Sequence, residues 1–318
     1  MQPITRLVFI LLFSTMLLFQ VKVSAQENNL VSESQSLQKI ELLQDSVSES
    51  PQQQVVTLSS IINTCRENDW QQAYLYASML KIELLLDIEH VNEAEAIFSQ
   101  LTSTANQVLD PEISIRLDVA QLRINDAKGL LLDIKKLHES LLAKADKIES
   151  HKLAGQVYLA VGNSLYNNSD NIGALKALRN AYTAYETAND LSGLGYVYNT
   201  LANVNGDLKN NDIAIEYLEK ALTISRTRND KFSQSINLYN IGNTYIIIGN
   251  AKKAREYLGL AMQASIHIND DIGVSWAKKA LADIDIEEKN GKVQSIYSVR
   301  LSLSLLKVAP LCLYLKHC

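Results

Sequence analysis

The stretch 240–250 reads NIGNTYIIIGN. An apolar residue, a small residue and an asparagine (Ile241, Gly242, Asn243) are followed by Tyr245 and a break at Gly249-Asn250. The same triplet stands forty residues earlier in LANVNGDLKNN, as Leu201, Ala202 and Asn203. It stands forty earlier again in AVGNSLYNNSD, as Val161, Gly162 and Asn163. A recurrence of this length marks an array of stacked structural repeats.

Other positions fall on the same grid. Ala174, Ala214 and Ala254 are spaced by forty, as are Ala181, Ala221 and Ala261, and Leu178, Leu218 and Leu258. Backward steps reach Ala94 and Phe98, and a degenerate copy at Ile134 and Leu141; a forward step reaches Leu281 and Ala282. The apolar spacing from about Val55 onward is helical, and a single proline, Pro111, lies between Pro51 and Pro310. Each unit therefore reads as two antiparallel helices. Helix axes approach to about 8–10 Å only where the contact side chains are small, so Gly242 is expected to face Ala254. One hairpin cannot bury its apolar face alone; stacking several makes a continuous core. The predicted fold is an all-α solenoid of antiparallel helix pairs, with five or six units.

The grid of small residue, Tyr, Gly, Ala, Leu and Ala resembles the tetratricopeptide repeat, best in the unit of Ile241-Gly242, Tyr245, Gly249, Ala254, Leu258 and Ala261. The resemblance covers residues 151–290 well and 75–150 weakly. The usual repeat is about 34 residues; forty implies longer helices, as in kinesin light chain and bacterial sensor and regulator proteins. Three departures stand out. The helix-B Phe is Leu in the three best units, the terminal Pro is missing, and Asn205 stands where the helix-A Tyr of the second unit belongs. The resemblance implies a right-handed superhelix whose concave groove binds a protein or peptide ligand. It implies that Asn163, Asn203 and Asn243 face that groove, where an amide can both donate to and accept from a peptide backbone. Leu159, Asn199 and Tyr239, one turn earlier, are the expected neighbours, with Asn240 and Tyr166 at the rim. Water contact or local capping is the competing role for these amides.

Composition bounds the rest. The 318 residues carry a formal charge of −5, which argues against nucleic acid, since phosphate binding needs clustered Lys and Arg. Residues 1–25 read as a secretory signal peptide: Arg6, an apolar run from Leu7 to Phe19, then Val23-Ser24-Ala25. Export, to a bacterial periplasm, is the expectation, with membrane association only if the signal is uncleaved. Residues 26–52 read as a polar linker holding one short helix at QSLQKIELLQD, 53–150 as degenerate repeats and 151–290 as clear ones. The apolar, basic tail 291–318 leaves the grid and reads as a cap or an out-of-frame end. Three cysteines, Cys65, Cys312 and Cys318, cannot close a disulfide framework.

No catalytic constellation is visible. His138-Glu139 starts a zinc-protease motif, but Leu142 stands where the second His belongs. No phosphate loop and no Gly-x-Ser-x-Gly elbow is present. The sequence thus predicts no enzyme, no metal and no cofactor. It predicts a binding scaffold or, alternatively, the sensory input module of a diguanylate-cyclase or sensor-kinase type of protein, lacking its output domain.

Overall fold

The computed structural model describes residues 33–44, 46, 50–105, 111–130 and 134–289. Among these there are only helices and their turns: α1 (33–44), α2 (Pro51–Glu67), α3 (Gln71–Asp87), α4 (Val91–Ala105), α5 (Pro111–Lys128), α6 (Ile134–Ala145), α7 (His151–Asn167), α8 (Asn171–Thr187), α9 (Leu191–Asp207), α10 (Asn211–Thr227), α11 (Lys231–Ile248), α12 (Ala251–His267) and α13 (Asp271–Lys289). The signal peptide, most of the linker's first part and the tail fall outside the described residues. The anticipated short helix at QSLQKIELLQD is α1, and its Ile40 and Leu43 join the core with Leu58 and Ile62.

The period of forty is two periods of twenty. A typical helix is 17 residues long and three residues turn the chain. The middle turn residue is left-handed at Asp69, Glu89, Gly129, Ser169, Asn189, Lys209, Asn229, Gly249 and Asn269. The next residue starts the following helix: the side chains of Ser150, Asp170, Asp190, Asp230 and Asn250 each accept a backbone N–H three residues on. A left-handed residue at a helix C-terminus stops the ladder, and a side-chain cap restarts it. Helices α7–α10 and α12 therefore share one length of 17 residues.

Consecutive helices pack as hairpins, α1–α2 through α11–α12, and α13 packs on α12 and α11. The grid alanines 174, 214, 254, 181, 221 and 261 are all at most 2% exposed. The leucines 178, 218 and 258 and the more distant Ala94 and Leu141 are buried with them. A β-carbon on Gly242 would meet the Leu258 side chain at 2.8 Å, and one on Gly162 would meet Leu178 at 3.1 Å and the Ala174 backbone oxygen at 3.6 Å. The small residue thus packs against the grid leucine, whose side chain leans toward its own N-terminus, and in the Gly162 unit against the grid alanine as well. Successive core clusters share helices from α1 to α13, giving one continuous elongated core.

Candidate functional site: the concave groove

Odd-numbered helices also touch the next odd-numbered helix, at α3–α5, α5–α7, α7–α9 and α11–α13. They form the inner layer, and the even-numbered helices from α4 onward form the outer one. Along the inner layer runs a groove of about 720 Å³.

The groove crosses the inner helices diagonally. On α11 its lining is Phe232, Ser233, Ile236 and Asn237, in the first two turns; on α9 it is Ser192, Gly193, Tyr196, Asn199 and Thr200. On α7 it extends from Lys152 to Asn167, on α5 from Arg116 to Ala127, and on α3 from Leu80 to Asp87, in the last turns. Each inner helix is rotated against its predecessor, as superhelical stacking requires, so equivalent residues do not stay level with the groove.

This diagonal sorts the sequence-predicted residues. Asn163 and Asn199 line the groove, with Leu159 beside them. Asn203 and Asn243 occupy the position of Asn163 on α9 and α11 but are not part of this lining. Both are half-buried, and the Asn203 amide nitrogen is buried without a partner. Tyr239 packs edge-on against Trp276, ring centroids 6.3 Å apart. The rim placement of Tyr166 and Asn240 is corrected: they are 5% and 7% exposed. Tyr166 joins the core of Ala174, Leu178 and Val204, and its phenol pKa is raised by burial and by Asp207. Asn240 lies on the buried face of α11 beside Ile241.

Sequence reading missed the charged half. Glu83 and Arg123 occupy the grid position of Asn163, eighty and forty residues earlier. Arg116 lies 3.1 Å from Glu83 and 2.9 Å from Glu112; Arg123 lies 2.5 Å from Asp87. Burial opposes the Arg116 charge, but the two glutamates outweigh it and hold its pKa above the ordinary value. Arg228 donates to the Ser192 hydroxyl at 2.7 Å and lies 3.8 Å from Asp230. The centre is neutral. The Thr200 hydroxyl donates to Asn163 Oδ1 at 2.8 Å, and Tyr196 stands in the floor. Tyr196 is 40% exposed, yet its surroundings raise its phenol pKa as burial does, aided by Asp87 and Asp230. The two observations are compatible in a concavity: the ring meets solvent within the groove while protein surrounds it. Stepping the Asn163 position backward along the grid would have found Glu83 and Arg123; Tyr196 shares its position with Arg116, Gln156 and Ile236, a set with no common chemistry to notice.

One cluster holds the residue types of a hydrolase triad. His138 Nε2 is 2.6 Å from Ser164 Oγ, and that hydroxyl donates to Asp126 at 2.9 Å. Since the serine proton goes to Asp126, Nε2 must be the protonated nitrogen of a neutral imidazole. The order is wrong for catalysis, where histidine stands between serine and carboxylate, and Ser164 is fully buried. The network instead ties α5, α6 and α7 together under the groove. Among the described residues no group of three His, Cys, Asp or Glu is arranged to hold a metal ion. Nor is any described helix long and apolar enough to cross a membrane.

Fold and groove together define an α-solenoid of helical hairpins with a concave ligand-sized surface. Residues 193–266 match the family model for the tetratricopeptide repeat. The matched residues carry tetratricopeptide repeats, and the hairpins before and after them continue the same helical architecture. No curated protein matches the sequence. Among solved structures, the apo form of RapI is similar with a TM-score of 0.57 and 15% identity, over 84% of this chain and 76% of that one. A Rap protein complexed with competence and sporulation factor gives 0.53 and 13%, over 72% and 65%. A signal-transduction ATPase with a tetratricopeptide repeat sensor, PH0952 from Pyrococcus horikoshii, gives 0.53 and 16%, over 81% and 41%. At these identities the likeness concerns the fold.

Proposed function

We propose that this chain is a non-catalytic, exported scaffold that holds a peptide or protein segment in its concave groove, in a bacterial periplasm. The observation that carries the reading is the groove itself: its centre is neutral and amide-rich, with Asn163, Asn199 and Tyr196 lining one concavity. Amides accept and donate, and an accessible tyrosine supplies apolar area at low entropic cost. The Rap protein solved with competence and sporulation factor supports a binding role for this architecture. Export rests on the reading of residues 1–25. The test is a photo-crosslinking residue at position 196, expressed in the exported compartment, with mass spectrometry of captured segments. Asn163→Ala combined with Tyr196→Ala is expected to weaken binding of a captured segment at least roughly tenfold, the loss of a central anchor, at unchanged helicity. Unchanged affinity would refute the groove assignment.

A sensory input role is the second reading, favoured by the sensor repeat of PH0952. Its expectation is a diguanylate cyclase or kinase output encoded with this chain at its locus; sequencing the locus and finding neither removes it.

A further inference from the structure

We propose that the groove is built for a cationic segment, a stretch of polypeptide presenting Lys or Arg side chains whose N–H groups are received by the amide oxygens of Asn199 and Asn237. This rests on the groove-binding reading above and specifies its ligand.

The first support is charge. The groove is lined by six carboxylates and four cationic side chains. Its three arginines already hold acceptors: Arg116 has Glu83 and Glu112, Arg123 has Asp87, and Arg228 has Ser192 and Asp230. An acidic ligand would have to compete with these carboxylates in a partly enclosed space, where like charges repel strongly. A basic ligand meets acid in excess. Asp126, whose hydrogen bonds come from the neutral Ser164 and Asn168, is one such carboxylate.

The second support is independent of charge. Asn237 is 1% exposed, and its Oδ1, like that of Asn199, is shielded from solvent and has no donor. Both residues line the groove and a side recess of about 30 Å³ next to Tyr196. The orientation of both amides follows from their neighbours. Asn199 Nδ2 donates to the Gly195 carbonyl at 3.2 Å, where an oxygen would repel. Asn237 Nδ2 donates to Ser225 Oγ at 3.3 Å, and the Ser225 proton is already given to the Leu222 carbonyl. The atoms left over are therefore acceptors, and a buried acceptor without a donor costs free energy that an incoming N–H recovers.

The test is fluorescence anisotropy on the full chain with labelled Lys-Ala-Lys-Ala-Lys and Glu-Ala-Glu-Ala-Glu probes at physiological ionic strength. The basic probe is expected to bind at least about tenfold more tightly than the acidic one. Asp126→Asn and Asn199→Ala should each weaken it several-fold, while Glu216→Gln on outer helix α10 leaves it unchanged. Circular dichroism confirms folding, and Glu83→Gln replaces any variant that unfolds. If the acidic probe binds better and Tyr196→Ala abolishes it, the charge assignment falls and the groove reading survives. Basic binding that ignores every groove variant overturns both. Absence of basic-probe binding overturns the charge assignment.

Discussion

The packing around Tyr185 makes a prediction whose sign depends wholly on tertiary contact. Tyr185 on outer helix α8 is 2% exposed and lies between two glycines of neighbouring inner helices. A β-carbon on Gly155 of α7 would stand 2.8 Å from its ring, and one on Gly193 of α9 would stand 2.2 Å away. Gly259 of α12 has nothing within 4 Å of the same construction. Gly→Ala inside a helix ordinarily gains about 0.5–1 kcal/mol. Gly259→Ala should show that gain. At Gly193 the gain is opposed by overpacking, typically about 1–3 kcal/mol where side chains cannot shift, and a 2.2 Å approach to a buried ring forces either the ring or α9 to move. Gly193→Ala is therefore expected to lose about 1–2 kcal/mol net. Urea unfolding followed by circular dichroism measures the difference. Hydrogen exchange over α7–α9 localises it, because long repeat arrays need not unfold in one step. A smaller residue at 185 should relieve the clash, so Gly193→Ala with Tyr185→Leu should show a favourable coupling of roughly 0.5 kcal/mol or more. Equal stabilisation at Gly193 and Gly259 would refute the wedge.

Two further predictions concern the buried network and the turns. Burial pushes the Asp126 carboxyl up to about 6 against the pull of Ser164, Asn168 and Arg123. The folded chain then keeps a proton that the unfolded chain has released, so the stability Asp126 confers at low pH is lost as pH rises from the ordinary carboxylate range to about 6. Relative to wild type, Asp126→Asn should gain stability over that window and remain level above it; a flat difference in pH-dependent melts would refute the assignment. His138, held below the ordinary imidazole range by burial, works the other way, losing stability as pH falls below that range. Lys209 is left-handed at φ 64, so Lys209→Gly should raise stability by about 0.5–1 kcal/mol in urea unfolding. A loss would show that the lysine side chain holds the turn.

The helical hairpins and most of their core were legible in the sequence because packing small residues against leucines at a fixed interval leaves a one-dimensional trace; the pairing of α1, inside the stretch read as a linker, with α2 was not. Ala174, Ala214 and Ala254 had to be buried once the grid was recognised. The twenty-residue half-period was harder to see. Seven of its nine left-handed residues are Asp, Glu, Ser, Asn or Lys and only two are Gly, and the backbone accepts these different residues through the same turn. The groove was only half legible. Asn163 and Asn199 were found from the grid, but Asn203 and Asn243, with the same local pattern, fall outside the groove's lining.

The sequence by itself therefore determined the repeat, the all-helical class and the alanines and leucines that pack within each hairpin, since these follow from spacing within a unit. Only the tertiary structure decided which residues of the inner helices share one concavity. That depends on the rotation from each hairpin to the next, a sum of small packing angles that no single unit contains. The diagonal brings Arg123, Asn163, Tyr196 and Asn237 from four helices onto one surface, and places Tyr166 and Asn240 in the core instead.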